Sequence, residues 1–336
     1  MNAEEIYELG IQAFENEDFA KAFGYYKISA IQGNALAQLN LGNCYKNGQG
    51  VKQDNKKAAR WYSLSADQGD ADAQNNLGYC YQYGEGVEQD NEQAVHWYSL
   101  SAEAGNSKAQ YNLGYCYKNG RGVEKDFEEA VRWYTLSAEA GNSKAQINLG
   151  NCYKNGHGVE QDDKQAVHWY ALSAEAGNAK AQYNLGYCYK NGRGVEQDYE
   201  QAVHWYALSA EQGFGYAFNW LKRLANEEIT QTYLALGNCY HYGYATDCDE
   251  NSAIEWYIKA LEFDYEEAFN QLEILATDDY PHAQYHLGLC YMNNNSQNRS
   301  KAMEFFEQAA NQEHAQALYI LDMFNSLVQT SSEVKL

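Results

Sequence analysis

Apolar residues recur along the chain at the spacing of an amphipathic helix. Ala181, Leu185, Cys188 and Tyr189 stand at positions i, i+4, i+7 and i+8, which places them on one helix face. A loop containing glycine follows, and the segment from Ala202 to Ser209 then shows the same spacing. The pattern therefore predicts two helices joined by a short loop, which is a helical hairpin.

The hairpin pattern repeats with a period of 36 residues. The Leu-Gly pair begins at residues 41, 77, 113, 149 and 185, and tryptophan recurs at 61, 97, 133, 169 and 205. A single hairpin cannot cover a tryptophan, so we expect stacked hairpins to bury Trp205. Glycine inside a helix costs about 1 kcal/mol relative to alanine, and its recurrence at Gly186 predicts a close approach of the partner helix. The predicted fold class is all-α, a right-handed α-solenoid with 36-residue repeats.

The hairpin loop contains a glycine pair that could either cradle a phosphate or end a helix. The sequence YNLGYCYKNGRGVE occupies residues 111–124 and again residues 183–196. Asn191 and Gly192 tolerate positive φ and stand where a helix C-cap belongs, and Asp198 is a suitable N-cap for the next helix. A phosphate-binding loop needs a preceding strand and a following Lys-Ser/Thr, and this sequence has neither. We interpret the loop as a helix end.

These repeats resemble the Sel-one-like repeat family, whose members are related to tetratricopeptide repeats. The resemblance rests on the motif A-x-A-Q-x-N-L-G-x-x-Y-x-x-G-x-G-V-x-x-D-x-x-x-A-x-x-W-Y and covers residues 34–213 without a gap. It implies a solenoid whose first helices line a concave face, and a role as an adaptor in bacterial signalling, secretion or host interaction. Some secreted members have two cysteines per repeat, joined within the hairpin. This chain has one per repeat, so that disulfide pattern does not carry over.

Both ends of the chain depart from the repeat. Residues 1–33 have a shortened loop and no tryptophan, which predicts a divergent N-terminal capping hairpin, and residues 34–213 hold five regular repeats. In residues 214–313 the Leu-Gly spacing increases to 51, because the first-helix copies AFNWLKRLA and AFNQLEILA lack a second helix, and we expect irregular three-helix units. Residues 314–328 are predicted to form a C-terminal capping helix, so that residues 1–336 make a single solenoid domain.

Composition and charge limit the possible classes of function. With 45% hydrophobic and 15% aromatic residues, the chain can bury a core. Its net charge of −22 argues against nucleic-acid binding, since phosphates would be repelled. No apolar run is long enough to span a membrane, and the acidic N-terminus MNAEEIYELG is unlike a secretory signal. We expect a cytoplasmic, monomeric protein without membrane insertion.

Cysteine and histidine are the first candidates for chemistry. Seven of the eight cysteines occupy one repeat position, about 10 Å apart for packed helices, which is too far for disulfides. We expect them to be buried and Cys248 to be exposed. His282 and His286 are four residues apart but lack the H-E-x-x-H context of a zinc site, and no Ser, Cys or Thr lies in a nucleophile motif. The sequence predicts no catalytic residue, no metal site and no cofactor, and hence no enzyme.

The first helices supply a candidate binding groove. By resemblance to tetratricopeptide arrays, the positions two and five before and after the Leu-Gly leucine point into the concave face. These positions vary between repeats while the framework letters stay nearly constant. The predicted groove residues are Asn43, Asn75, Tyr79, Lys108, Tyr111, Tyr115, Lys118, Lys144, Asn151, Lys154, Lys180, Tyr183, Tyr187, Lys190 and Asn238. The alternative is that the tyrosines pack on neighbouring helices and the lysines are solvated, although the alternation of Asn and Tyr at one position favours a groove.

The groove composition indicates a protein or peptide partner. We interpret the chain as a non-catalytic scaffold that holds an acidic segment through tyrosine stacking, asparagine hydrogen bonds and lysine attraction. A comparison with tetratricopeptide clamps for C-terminal carboxylates rests on residue type alone. The alternative is an inhibitor or immunity protein that neutralises a basic toxin, because residues 214–336 hold 6 basic and 18 acidic side chains against 18 and 28 in residues 1–213.

Overall fold

The computed structural model describes residues 1–263, 266–294 and 298–333. These residues form 19 α-helices and no strand, which confirms the all-α class predicted from the periodicity. No helix in the described ranges combines the length and the apolar character needed to cross a bilayer. The chain divides into two compact units, Met1–Ala176 and Gly177–Leu336.

The first unit consists of five helical hairpins. Its helices are α1 Ala3–Glu15 with α2 Phe19–Ile31, α3 Ala35–Asn47 with α4 Asn55–Ala66, α5 Ala71–Tyr83 with α6 Asn91–Glu103, α7 Ser107–Asn119 with α8 Phe127–Glu139, and α9 Ser143–Asn155 with α10 Asp163–Glu175. The two helices of each hairpin pack along each other, and each second helix also packs on the first helix of the next hairpin. The core therefore runs continuously between the hairpins of this unit.

The described part of the second unit holds three hairpins and three single helices. The hairpins are α11 Ala179–Asn191 with α12 Tyr199–Glu211, α14 Gln231–Tyr242 with α15 Glu250–Leu261, and α17 Pro281–Asn294 with α18 Arg299–Asn311. The single helices are α13 Gly215–Asn226, α16 Glu266–Thr277 and α19 Ala315–Glu333. Helices α13 and α16 are the two first-helix copies recognised in the sequence. The division of the chain into capping, regular and three-helix parts stays a prediction.

Glycine loops end the first helices, as the sequence predicts. Helix α11 ends at Asn191, and Gly192 adopts the left-handed conformation with φ +64°. Helix α12 begins after Asp198, whose carboxylate accepts a hydrogen bond from the backbone N–H of Gln201 at 3.0 Å. The interpretation of NGRG as a helix end is confirmed.

A contact between a glycine and a tyrosine ring holds each regular hairpin together. Tyr134 on α8 is fully buried, and its ring lies against Gly114 on α7. A Cβ atom on Gly114 would lie 2.8 Å from Cδ1 of Tyr134 and 3.1 Å from the carbonyl oxygen of Ala130. Equivalent ring contacts are Gly42 with Tyr62, Gly78 with Tyr98, Gly150 with Tyr170, Gly186 with Tyr206, Gly237 with Tyr257, and Gly288 with Phe306. The predicted close approach of the partner helix is confirmed.

The repeat tryptophan is less buried than the sequence predicts. Trp133 is buried, whereas Trp61, Trp97, Trp169 and Trp205 are half-buried. Consecutive helix positions differ by about 100°, so Trp205 points in a different direction from Tyr206, whose ring contacts the first helix of the hairpin. The expectation that Trp205 is buried is wrong, because the tyrosine that follows it provides the core.

A buried glutamine connects some successive hairpins more completely than others. Gln38 Nε2 donates to the carbonyl oxygen of Ala30 at 3.1 Å, and Gln38 Oε1 accepts from Gln68 Nε2 at 2.7 Å. Gln110 makes the first of these bonds in its own repeat, but Ala140 stands where the second donor would be. Within the described ranges Gln110 Oε1 is buried without a partner. This repeat therefore lacks one hydrogen bond, which a substitution at residue 140 could restore.

Replacing Gly114 with alanine should destabilise the protein, because a Cβ atom does not fit against Tyr134 unless the helices shift. We expect a loss of about 1–3 kcal/mol in the free energy of unfolding, measured by urea unfolding followed by circular dichroism. Gly24 on α2 is the control, since a Cβ there meets no described neighbouring atom within 4 Å, and Gly24→Ala should be neutral or stabilising. Equal stability of Gly114→Ala and the wild type would contradict the contact.

Replacing Ala140 with glutamine should stabilise the protein, because the new amide can donate to Gln110 Oε1 as Gln68 donates to Gln38. The expected gain in the free energy of unfolding is about 0.5–1.5 kcal/mol, the net value of one hydrogen bond. The reciprocal change, Gln68→Ala, should cost a similar amount. Urea unfolding measures the free energy of unfolding of both variants. If both substitutions change it in the same direction, the glutamine hydrogen bond is not the cause.

Candidate protein-binding face

The first helices present a row of polar and aromatic side chains on one side. In the first unit, Asn112 Nδ2 on α7 donates to Asn75 Oδ1 on α5 at 2.9 Å, and Lys118 Nζ on α7 donates to Asn148 Oδ1 on α9 at 3.3 Å. These bonds place the first helices side by side, and we call this side of each unit the first-helix face. Its variable position, two residues after the Leu-Gly leucine, holds Asn43, Tyr79, Tyr115, Asn151, Tyr187, Asn238 and Leu289.

Asparagine at the variable position accepts a hydrogen bond from the buried core tyrosine. The hydroxyl-to-Oδ1 bonds are Tyr62 to Asn43 at 2.8 Å, Tyr170 to Asn151 at 2.7 Å, and Tyr257 to Asn238 at 2.9 Å. In the last hairpin the core residue is Phe306, which has no hydroxyl, and the variable position is Leu289. The asparagines thus satisfy buried hydroxyls, which gives the alternation of Asn and Tyr a packing cause in these repeats.

Tyrosine at the variable position removes that acceptor. In the hairpin of α5 and α6, where Tyr79 stands, Gln82 Oε1 replaces it and accepts from the Tyr98 hydroxyl at 2.7 Å. Two buried hydroxyls have no hydrogen-bond partner in the described part of the chain, those of Tyr134 and Tyr206. Burial raises the pKa of both phenols above the usual range, so they stay protonated. Each unpartnered hydroxyl costs about 1–3 kcal/mol.

Basic side chains lie over the variable tyrosines in the first unit. Arg121, from the loop after α7, has its Cζ 5.2 Å from the ring centroid of Tyr115, and Lys46 Nζ lies 4.5 Å from that of Tyr79. Neither these cations nor Lys118 forms an ion pair with a carboxylate of the described residues. An exposed cation–π contact contributes about 0.5–1 kcal/mol, which is less than an unpartnered hydroxyl costs.

In the second unit the same face contains an aromatic and basic cluster. Lys190 Nζ and Arg223 Cζ lie 4.2 Å and 4.9 Å from the centroid of the Trp220 ring on α13. Arg193, from the loop after α11, has its Cζ 5.7 Å from the ring centroid of Tyr187. The arrangement of arginine over the variable tyrosine therefore occurs in both units.

The position two residues before the leucine makes mainly structural contacts. Tyr111 lies against the core ring of Tyr134 with centroids 6.0 Å apart, and Tyr183 lies against Tyr206 at 5.8 Å. Asn75 is buried. These side chains cover the core, as the packing alternative states, so the variable position is the stronger candidate for contact with a partner.

The predicted lysines fall into two groups by exposure. Lys118, Lys154 and Lys190 near the ends of the first helices are half-buried, and Lys108, Lys144 and Lys180 near their starts are exposed. Contacts with Asn148 and Trp220 hold the ammonium groups of Lys118 and Lys190 against the first-helix face. The half-buried lysines are therefore better positioned than the exposed ones to contact a partner.

Sequence reasoning missed Arg121, Arg193, Trp220 and Arg223. A signal for the arginines was present, since the loop NGRG occurs only in repeats with tyrosine at the variable position, while asparagine repeats have NGQG, NGHG or YGYA. Trp220 and Arg223 had no such signal, because α13 departs from the first-helix letters. Their place in the site became visible only from the cation–ring distances.

The buried thiols are packing residues. Cys44, Cys80, Cys116, Cys152, Cys188 and Cys239 are buried, Cys290 is half-buried and Cys248 is exposed, close to the prediction. Burial raises the pKa of Cys44, Cys80 and Cys116 to about 11, which keeps these thiols protonated and unreactive. No three His, Cys, Asp or Glu residues of the described ranges are grouped so that they could hold a metal ion.

Stacked hairpins with a variable first-helix face define the class of α-solenoid repeat proteins. The family model of the Sel1 repeat matches residues 3–34, 35–70, 71–106, 107–142, 143–178, 179–214, 231–262 and 281–314. The chain belongs to the Sel1 repeat family. Sel1 repeat proteins generally mediate protein–protein interactions, and the family is generally non-catalytic.

Solved structures of Sel1 repeat proteins have a similar fold. One is c5321, a protective antigen present in uropathogenic Escherichia coli strains, with 32% identity and a TM-score of 0.63 over 98% of this chain and 73% of that one. A Sel1 repeat protein from Oxalobacter formigenes has 31% identity and a TM-score of 0.61 over 76% of this chain and 96% of that one. Immunity protein Pa5087 from Pseudomonas aeruginosa has 20% identity and a TM-score of 0.40, and it is too distant to support an argument about function. A comparison with curated proteins found no match.

Replacing Asn43 with alanine should leave the Tyr62 hydroxyl buried without its acceptor. The expected loss is about 1–3 kcal/mol in the free energy of unfolding, measured by urea unfolding. Adding Tyr62→Phe to this variant should recover most of the loss, since removing both partners of a buried bond is nearly neutral. If the double variant is no more stable than Asn43→Ala, the hydroxyl bond is not the source of the loss.

Proposed function

We propose that the protein is a non-catalytic scaffold that binds an acidic segment of a partner protein on its first-helix face. The supporting observation concerns the cations of that face. No carboxylate of the described residues forms an ion pair with Lys46, Lys118, Arg121, Lys190 or Arg193. Few cations of the described ranges form such pairs, and these five are set apart because ring contacts or a bond to Asn148 hold them on the first-helix face. Cations that remain apart from them can receive carboxylates of a partner.

The overall negative charge does not prevent such binding. The net charge of −22 repels an acidic segment at long range. At an ionic strength of 0.15 M, however, the Debye length is about 8 Å, and surface charges further apart than that are largely screened. A carboxylate in contact with a cation lies well inside this distance. The repulsion should therefore slow association more than it weakens the complex.

Aromatic rings beside the cations add contact area for the partner. Tyr79, Tyr115, Tyr187 and Trp220 are half-buried, so one part of each ring is fixed by the protein and another part is accessible. Such rings lose little side-chain entropy on binding and are enriched in protein interfaces.

Cytoplasmic location and the monomeric state stay predictions.

Fluorescence anisotropy with labelled hexaglutamate amide tests the proposal, with hexaglutamine amide as the neutral peptide. We expect hexaglutamate to bind more tightly than hexaglutamine. Reversing the charge of Lys46, Lys118 and Lys190 to glutamate should weaken hexaglutamate binding by about tenfold or more, since hydrogen bonds to charged groups are lost. Binding by the wild type should also weaken as salt is added.

The control variant reverses the charge of Lys52, Lys56 and Lys164, which are exposed on a loop and on second helices. It changes the net charge by the same amount and should leave binding nearly unchanged. Equal affinity for hexaglutamate and hexaglutamine, or equal losses in both triple variants, would contradict the proposal. Preferential binding of a hexalysine peptide would instead favour the inhibitor of a basic toxin, with residues 214–336 as the acidic surface.

A further inference from the structure

Two stretches of identical sequence, residues 111–124 and 183–196, carry the same pair of side chains. In the first, Arg121 lies over the ring of Tyr115 with its Cζ 5.2 Å from the centroid. In the second, Arg193 lies over the ring of Tyr187 at 5.7 Å. Both arginines are exposed, and neither pairs with a carboxylate of the described residues.

Both stretches also lack a hydrogen bond that other repeats make. Where asparagine is at the variable position, the core hydroxyl donates to it at 2.7–2.9 Å. In the two tyrosine–arginine repeats the core hydroxyls, on Tyr134 and Tyr206, have no partner in the ranges that the structure describes. The ring contact of the exposed arginine is weaker than this loss and does not offset it. Selection for stability alone would favour asparagine at residues 115 and 187.

The repeat with Tyr79 provides an internal comparison. Its core hydroxyl, on Tyr98, donates to Gln82 Oε1, so tyrosine at the variable position leaves no hydroxyl unpartnered there. The loop of this repeat has Glu85 where the other two have arginine. The missing hydrogen bond thus coincides with the tyrosine–arginine pair and not with tyrosine as such.

We propose that Tyr115 with Arg121, and Tyr187 with Arg193, are two copies of one carboxylate-binding site, retained at the expense of folding stability. This inference rests on the proposed function and names the residues that recognise the acidic segment. A guanidinium that stacks on a ring keeps its N–H donors available at the edge, where a carboxylate can bind with two hydrogen bonds. The ligand group is a carboxylate, either of an Asp or Glu side chain or of a C-terminus.

The experiment uses the full-length double variant Tyr115→Asn, Tyr187→Asn. Its thermal midpoint should rise by about 2–4 °C per site, since each asparagine can accept from the core hydroxyl. Its affinity for labelled hexaglutamate amide should fall by about tenfold or more. A second double variant, Arg121→Gln with Arg193→Gln, should lose the same affinity without a rise in the midpoint. Hexaglutamine with a free C-terminus, compared with its amide, shows whether a terminal carboxylate suffices or side-chain carboxylates are required.

Matched controls separate the two effects. Tyr79→Asn should not raise the midpoint, because the Tyr98 hydroxyl already has an acceptor. Replacing Arg60 and Arg132 with glutamine, both exposed on second helices, should leave the affinity unchanged.

Two outcomes would overturn the inference. An unchanged or lower midpoint in the asparagine variant would mean that no hydrogen bond was missing. A higher midpoint with unchanged affinity would mean that the pairs do not recognise the segment. The proposed function would survive either result as long as the lysine-reversed variant of the preceding section still loses binding, and it would fail if that variant binds as the wild type does.

Discussion

The contact between a helix glycine and a buried tyrosine ring is the constraint on which each hairpin depends. The ring of Tyr134 occupies the space that a side chain at Gly114 would need, so the two helices can approach only with glycine at that position. The contact also determines where the phenol hydroxyl ends, which is beside the variable position of the first helix, 19 residues earlier in the chain. Core packing and the first-helix face are therefore coupled through one side chain.

This coupling gives the variable position two possible roles. Asn43, Asn151 and Asn238 accept the core hydroxyl and complete the hairpin. Tyr115 and Tyr187 leave the hydroxyl unpartnered and place a ring beneath an arginine instead. The cost of about 1–3 kcal/mol per hydroxyl exceeds what an exposed cation–π contact returns. Residues that lower stability in this way are commonly those that serve function, and this supports recognition through these two repeats.

Much of the fold could be predicted because local patterns repeat. The period, the glycine loop that begins at Gly192 and the burial of the cysteines all follow from spacing and backbone preference. The site was predicted less well. The pattern places Arg121 in a helix-ending loop and gives no sign of its contact with the Tyr115 ring, nor of the bonds by which the asparagines at the variable position accept a core hydroxyl. These contacts are hidden because a linear pattern shows which residues vary and does not show which buried atom each one meets.

The sequence by itself determined the hairpin, its period and the ends of its helices, since these depend on residues close together in the chain. Only the tertiary structure decided that Tyr206 and not Trp205 fills the hairpin core, and that Lys190 lies over the ring of Trp220. Side chains that are neighbours in sequence point in directions about 100° apart on a helix, so a small difference in rotation decides which one is buried. The contact of Lys190 with Trp220 joins residues of α11 and α13, and it exists only once these helices are packed.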